Sequence, residues 1–225
     1  MKFLCLDTTL NNCSIHIISS QKELLNLSDK NQPPSDIIPR LVSDALLDLK
    51  LTPTDIDGIV VATGPGNFTS LRVGISFGVG LAKAIAVPIY GVSSLEGLVL
   101  SHEKSLKKNQ KFLVSIKARG EDYFFQLFDN NSIAFSKPIK ANINKAKELY
   151  SDQDLFFLGS GSRDVAVNFN QKEKIICNED DINFFEVYKN IKENLLNYKD
   201  NVWPLYLADP VAEKKDPLWF AKKKN

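Results

Sequence analysis

Apolar and polar positions follow one another along this chain in an order that changes period several times. Residues 3–8 (FLCLDT) and 13–18 (CSIHII) predict two strands joined by the polar turn Leu10-Asn11-Asn12, and Leu24, Leu25 and Leu27 predict a third. After the breaker Asn31-Gln32-Pro33-Pro34, Ser35 is placed to cap a helix with apolar residues at Ile37, Ile38, Leu41, Val42, Ala45, Leu46 and Leu49. Pro39 is tolerable there only because it falls in the first turns. Gly58-Ile59-Val60-Val61-Ala62-Thr63 is the unbroken apolar run of a strand buried on both faces. Gly64-Pro65-Gly66-Asn67-Phe68-Thr69 interrupts it, and a helix is predicted over residues 70–86. Residues 88–92 predict another strand, with Ser93 or Ser94 capping a helix that carries Leu95, Leu98 and Val99. A meander followed by alternating strands and helices is an α/β layer structure with a mixed sheet.

The polar segment 101–110 is the best boundary, and beyond it the order starts again. Strands are predicted over residues 112–116, 123–128 and 132–139, a helix over 143–150, a strand over 155–158 and a helix over 184–196. The expectation is two lobes of similar topology, 1–101 and 102–225, with the C-terminal residues free to pack back on the first lobe.

Composition narrows the function classes. The chain has 225 residues, 44% of them hydrophobic, with 28 Lys+Arg against 27 Asp+Glu for a formal charge of +1. That is enough chain to bury roughly 70% of its unfolded surface, and the near-zero charge leaves no global field to draw in nucleic acid or anionic lipid. Residues 1–100 hold 7 basic and 9 acidic groups (−2) and the remainder 21 and 18 (+3), too small an asymmetry to name a partner. Cys5, Cys13 and Cys177 are widely spaced and read as reduced thiols, which places the protein in the cytoplasm. The short apolar run before Asp7 does not read as a signal peptide, and no apolar stretch is long enough to span a bilayer.

The richest segment for chemistry is residues 60–80. A buried strand enters a glycine-rich loop and a helix leaves it, so backbone N–H groups and the positive helix end converge. Asp7, Thr8, Gly64, Gly66, Asn67 and Thr69 are therefore candidate anion- or nucleotide-binding residues. The structural alternative is that the glycines only make the turn and Asn67 or Thr69 only caps the helix. It is not a Walker loop, because the terminal Gly-Lys-Ser/Thr is absent. From Leu71 to Ile85 the only polar side chains are Arg72, Ser76 and Lys83, and a helix apolar nearly all round needs covering on both sides. A protein partner is expected there, with Ile37, Leu41, Leu71, Gly74, Ile75, Gly78 and Ala82 as candidate interface residues.

Other features weigh less. Asp7 is placed as a catalytic or metal-ordering acid would be, although a strand-end Asp more often closes an Asx-type turn. His16 and His102 have no metal-site spacing. Gly159-Ser160-Gly161-Ser162 is a second glycine loop, read as a turn or a nucleotide contact. Lys214, Lys215, Lys222, Lys223 and Lys224, with Trp203, Tyr206, Trp219 and Phe220 nearby, make an end that reads as solvated or as an RNA contact.

Several of these stretches, in this order, resemble the TsaB (YeaZ) family. They are Leu4-Cys5-Leu6-Asp7-Thr8-Thr9 with Cys13-Ser14, Ile37-Ile38-Pro39, the block from Gly64 to Gly74 (GPGNFTSLRVG), Gly91-Val92-Ser93-Ser94-Leu95, Lys117-Ala118-Arg119-Gly120-Glu121-Asp122-Tyr123 and Pro204-Leu205-Tyr206-Leu207. Two departures stand out. Pro33-Pro34-Ser35 occupies the place where many members have His-Ser or His-Thr, and Lys117 stands where the family's second lobe starts with aspartate.

The resemblance implies two lobes of duplicated RNase H-like, actin-like (ASKHA) topology. It also implies cytoplasmic work on N6-threonylcarbamoyladenosine in tRNAs reading ANN codons. The implied role is a non-catalytic dimerisation subunit required by a TsaD-like transferase, with a TsaE-like ATPase in the assembly and a homodimer when alone. tRNA is expected only through the complex, no membrane is involved, and ATP and a divalent metal belong to the partner proteins. An actin-like-fold small-molecule kinase or ATPase is the alternative, against which Asp7 is followed by Thr-Thr-Leu-Asn-Asn without the glycine such kinases use at the phosphates. A peptidase reading finds neither metal ligands nor a nucleophile–base pair in the sequence.

Overall fold

The structure is a computed structural model and describes residues 1–9, 13–102, 110–151 and 153–207. The predicted Leu10-Asn11-Asn12 turn, most of the segment 101–110, and the tail with its lysines, Trp219 and Phe220 lie outside the described residues.

Strands β1 (Lys2–Asp7), β2 (Cys13–Ser19) and β3 (Glu23–Asp29) form an antiparallel meander. Helix α1 (Pro34–Asp48) leads to β4 (Gly58–Ala62), which pairs parallel with β1. Helix α2 (Phe68–Ala84) leads to β5 (Ile89–Val92), parallel to β4, so the sheet order is β3-β2-β1-β4-β5. The period-2 alternation sorts the side chains. Leu4, Leu6, Ile15, Ile17, Ile59 and Val61 meet α1 and α2 on one face, whereas Phe3, Cys5, Ile18, Val60 and Ala62 line the other.

Helix α3 (Ser94–Ser101) joins the lobes. Its Leu95, Leu98 and Val99 pack on Phe112, Val114, Phe124 and Phe128 of the second sheet, while Leu100 packs on the first. That second sheet, β8-β7-β6-β9, repeats the first: β6 (Lys111–Lys117), β7 (Asp122–Asp129) and β8 (Ile139–Asn142) are an antiparallel meander, α4 (Ile143–Tyr150) follows, and β9 (Leu155–Leu158) returns parallel to β6. After α5 (Ser162–Asn168), Ile175 bridges parallel to Phe157, a one-residue counterpart of β5. This is the duplicated RNase H-like topology of the actin-like (ASKHA) fold. Helix α6 (Phe184–Ile191) then covers the second face of the first sheet through Phe184, Val187 and Ile191. The chain after it runs along β5: Lys199 bridges Tyr90, and the N–H groups of Asp200 and Leu205 donate to the Ile89 and Thr63 carbonyls at 2.9 and 2.8 Å.

Four expectations are corrected. Helix α1 starts at Pro34 with Pro33 as cap, and Ser35 Oγ donates to Asp36 rather than capping; proline at the first helical position needs no N–H partner. Helix α2 starts at Phe68 and ends at Ala84, two residues early at each end. Residues 132–138 are not a strand, because Ser136 diverts the edge: its Oγ accepts the Leu127 N–H at 3.0 Å and its carbonyl accepts from Gln126 Nε2 at 3.1 Å. The last helix ends at Ile191 and tightens into 3-10 geometry over Lys192–Tyr198, with Asn194 off helical angles.

Candidate functional site

Three N–H donors where the loop between β4 and α2 enters the helix are spent within the protein. The Asn67 N–H donates to the Thr9 carbonyl at 2.8 Å, and Asn67 Oδ1 caps α2 by accepting from the Thr69 and Ser70 N–H groups, each at 3.1 Å. A β-carbon at Gly66 would lie 1.8 Å from Thr9 O, so the glycine is there for the close approach of two backbones. Gly64, at φ +96°, faces Leu71 and Leu205, and its carbonyl accepts the Ser94 N–H at 2.6 Å.

The strand-end acid is tied down in the same way. Asp7 Oδ1 accepts from the Thr9 N–H at 2.8 Å and from Thr9 Oγ1 at 2.7 Å, while Thr9 Oγ1 lies 2.9 Å from Ser94 Oγ. Thr8 Oγ1 donates to the Ser70 carbonyl at 2.7 Å. The six candidate anion-binding residues therefore do come together, but as a knot joining β1 to the loop and to α2. Burial pushes the Asp7 carboxyl above the usual carboxylate range, against the pull of its Thr9 hydrogen bonds and of His16.

A cleft of about 300 Å³ opens beside Asp7, lined by Ser14, His16 and Glu23 of the meander and by Asp180, Asp181 and Asn183 ahead of α6. His16, 5% exposed, has Nδ1 2.7 Å from Glu23 Oε1 and Nε2 3.2 Å from Ser14 Oγ. In the neutral ring with Nδ1–H donating to Glu23, Nε2 accepts from the Ser14 hydroxyl. The structure thus supplies a hydroxyl–imidazole–carboxylate run that the sequence did not reveal. The pattern Ser14-x-His16 on one strand face was the available signal; the β2–β3 pairing, with its irregularity at Ile17/Ile18, brings in Glu23.

The cleft's electrostatics restrict its chemistry. Asp7, Glu23, Asp180 and Asp181 face it against Lys30. Burial raises Asp180 as well, although the Ser160 N–H donates to its Oδ1 at 2.6 Å. Negative charge on an acyl-transfer intermediate at Ser14 would be opposed rather than stabilised. An actin-like cleft implies a nucleotide with its metal, and these residues do not fit one. Four carboxylates repel phosphates, the Asn67, Thr69 and Ser70 N–H groups are already bonded within the protein, and among the described residues no group of three or more His, Cys, Asp or Glu is set to hold a metal ion.

The second glycine loop is also structural. Ser160 Oγ accepts the Lys117 N–H at 2.9 Å, and Gly159 and Gly161 pack against the Ser115 carbonyl. Lys117, where the family pattern has aspartate, pairs with Asp164 at 2.9 Å beside Tyr123.

The candidate interface residues all face inward. Ile37, Leu41, Leu71, Ile75 and Ala82 are at most 8% exposed, and Gly74 and Gly78 abut Thr8 and Val61. The outward side of α2 consists of Thr69, Arg72, Ser76, Gly80, Lys83 and Ala84, flanked by half-buried Val73 and Phe77. Alongside it α1 exposes Leu47, at 70%. At the start of α2 the Arg72 guanidinium stacks 3.8 Å from the Phe68 ring centre, and its Nε donates to the Tyr206 hydroxyl at 2.6 Å.

The family model described as tRNA N6-adenosine threonylcarbamoyltransferase (TsaD) matches residues 31–126. The tRNA threonylcarbamoyladenosine biosynthesis protein TsaB of Buchnera aphidicola subsp. Schizaphis graminum is 27% identical over 207 residues, 87% of this chain and 97% of that protein. The protein of the same name from Escherichia coli K12 is 31% identical over 132 residues, 55% and 54% of the two chains. Among solved structures, YeaZ from Pseudomonas aeruginosa superposes with a TM-score of 0.71 at 18% identity, over 92% of this chain and 99% of that one.

Proposed function

Because this chain belongs to the TsaB (YeaZ) family, we propose that it serves the biosynthesis of tRNA threonylcarbamoyladenosine as a non-catalytic subunit that docks a TsaD-like transferase. The observation that carries this reading is the outward face of α2. Between Arg72 and Lys83 the positions not buried in the core are Val73, Ser76, Phe77, Val79, Gly80 and Leu81, with no charge among them. A Cβ added at Gly80 would meet nothing within 4 Å, so a second backbone can approach there. The acidic cleft supports the non-catalytic part, because it opposes both phosphate binding and oxyanion formation.

On this reading the isolated chain pairs with a second copy through the same face, and the transferase displaces that copy. A TsaE-like ATPase joins the assembled complex, tRNA is met only there, and ATP and metal are held by the partners. The protein works in the cytoplasm; among the described residues no helix is long and apolar enough to cross a membrane.

The test is co-elution of the full chain with a TsaD-like protein on a sizing column, with light scattering for mass. Ser76→Arg, at an exposed position, is expected to weaken the pair by about tenfold or more while leaving the fold intact. Independent elution at micromolar concentration, with and without ATP, would overturn the reading. ATP turnover by the isolated chain, lost in Asp7→Asn, would point to a kinase instead.

A further inference from the structure

Arg72 stands at one end of the uncharged stretch of α2, and its guanidinium is held in place. Its Cζ lies 3.8 Å from the Phe68 ring centre and 5.3 Å from that of Tyr206, and the two rings are 4.7 Å apart. Nε donates to the Tyr206 hydroxyl at 2.6 Å. The two terminal nitrogens have no hydrogen-bond or ion-pair partner among the described residues, and the residue is exposed. Stacking and the Tyr206 bond have already removed freedom that a surface arginine would otherwise lose on binding. The open edge of the guanidinium is a fork that fits a carboxylate or a phosphate through two parallel bonds.

The surrounding charge selects between those two anions. Helix α1, which packs beside α2, exposes Asp36, Asp44 and Asp48 against Arg40. A single fixed cation next to these acids suits one carboxylate better than a polyanion, whose further phosphates the aspartates would oppose.

The next cation along α2 is Lys83, exposed and without an ion pair among the described residues. Arg72 and Lys83 are separated by about three helical turns, roughly 16 Å, so they mark the two ends of one stripe, with Ser76 and Gly80 exposed between them. A two-fold axis through the middle of that stripe sets α2 antiparallel to α2 and places Arg72 opposite Lys83 of the second copy. Self-pairing therefore brings like charges together at both ends, whereas a different protein can bring acids there.

Resting on the reading that this face docks a TsaD-like protein, we propose that Arg72 is its specificity-determining contact. The fork takes a carboxylate of the partner protein in a bidentate pair and so favours that partner over a second copy of this chain.

The experiment measures two dissociation constants for the full chain, self-association by sedimentation equilibrium and pairing with the TsaD-like protein by titration calorimetry. At salt raised from about 50 to about 500 mM, the heteropair is expected to weaken and the self-pair to hold or tighten. Arg72→Gln should weaken the heteropair by about tenfold or more and leave self-association equal or tighter. Lys83→Glu sets an acid opposite Arg72 in the self-pair and should tighten it by about fivefold or more. That variant does not touch the Tyr206 contact, so it decides the matter even if Arg72→Gln loosens the chain around Tyr206. The proposal is overturned if Arg72→Gln weakens both pairs alike, which would mean that acids of the second copy also reach the fork. It is overturned too if Lys83→Glu leaves the self-pair unchanged, or if the loss in Arg72→Gln is confined to tRNA binding by the assembled complex, which would assign the fork to a phosphate. A wild-type chain that forms no heteropair overturns the docking reading as well, whereas a heteropair that Arg72→Gln leaves intact removes this inference alone.

Discussion

The carbonyl oxygen of Thr9 accepts the Asn67 N–H at 2.8 Å. This contact holds the end of β1 against the start of α2, and Gly66 allows it, because a methyl group there would overlap the same oxygen at 1.8 Å. Gly66→Ala is therefore expected to lower stability by about 2–4 kcal/mol in urea unfolding. Gly80→Ala, with open space around it, is the matched control and should stabilise by about 0.5–1 kcal/mol through helix propensity. Equal effects at the two glycines would show that the contact between the loop and Thr9 does not bear on stability.

The segment after α6 depends on a second close approach. A β-carbon at Gly91 would come 1.9 Å from the Asn201 carbonyl oxygen. Gly91→Ala should lift this segment off β5 and open the Lys199–Tyr90 bridge. Tryptic cleavage after Lys199 is then expected to quicken by about tenfold or more in the folded protein, as a local opening and not a global one. Unchanged cleavage would mean that the segment is held by other contacts, such as Tyr206 with Arg72.

Much of this architecture was legible because it rests on local pattern. The alternation in Phe3-Leu4-Cys5-Leu6 specifies two buried faces, and the glycine break after β4 marks where α2 begins. What pattern could not decide was which side of α2 the core takes. A helix apolar nearly all round offers two stripes, and the one through Leu71, Gly74, Ile75, Gly78 and Ala82 is consumed by the chain's own sheet and by α1. Spacing could place Ser14 and His16 on one strand face, but Glu23 joins them only through the pairing of β2 with β3, and Asp180 reaches the cleft through a fold-back of more than a hundred residues that has no signal in spacing. The glycine loops looked like anion sites because a tight structural turn and a phosphate cradle share one composition.

The Lys117–Asp164 pair is a surface contact, with the two side chains 54% and 40% exposed. Hydrogen bonding from Lys117 holds the Asp164 carboxyl below its ordinary value, so its contribution is present at neutral pH and lost as pH falls through the folded value. Solvent screening keeps that contribution small. Lys117→Ala is expected to cost less than about 1 kcal/mol at low salt, and less still in high salt. A larger, salt-insensitive loss in thermal unfolding would assign Lys117 a packing role under Tyr123 instead.

Asp7 carries the opposite sign. Burial raises its carboxyl in the folded protein, so above the folded value the fold holds a desolvated carboxylate that the unfolded chain would hydrate. Between the unfolded and folded values the native state binds more protons, and this group's unfavourable contribution shrinks as pH falls through the folded value. Asp7→Asn keeps an oxygen to accept from Thr9 while removing the charge. It is expected to raise the melting temperature by a few degrees at neutral pH, with the gain over wild type narrowing steadily toward the ordinary carboxylate range near about 4. Thr9→Val separates charge from hydrogen bonding: it deletes the Oγ1 bonds to Asp7 and Ser94 and should cost about 1–3 kcal/mol. A gain for Asp7→Asn that stays constant with pH would assign the effect to packing, and a loss at neutral pH would mean that the charged carboxylate is itself a stabilising member of the knot.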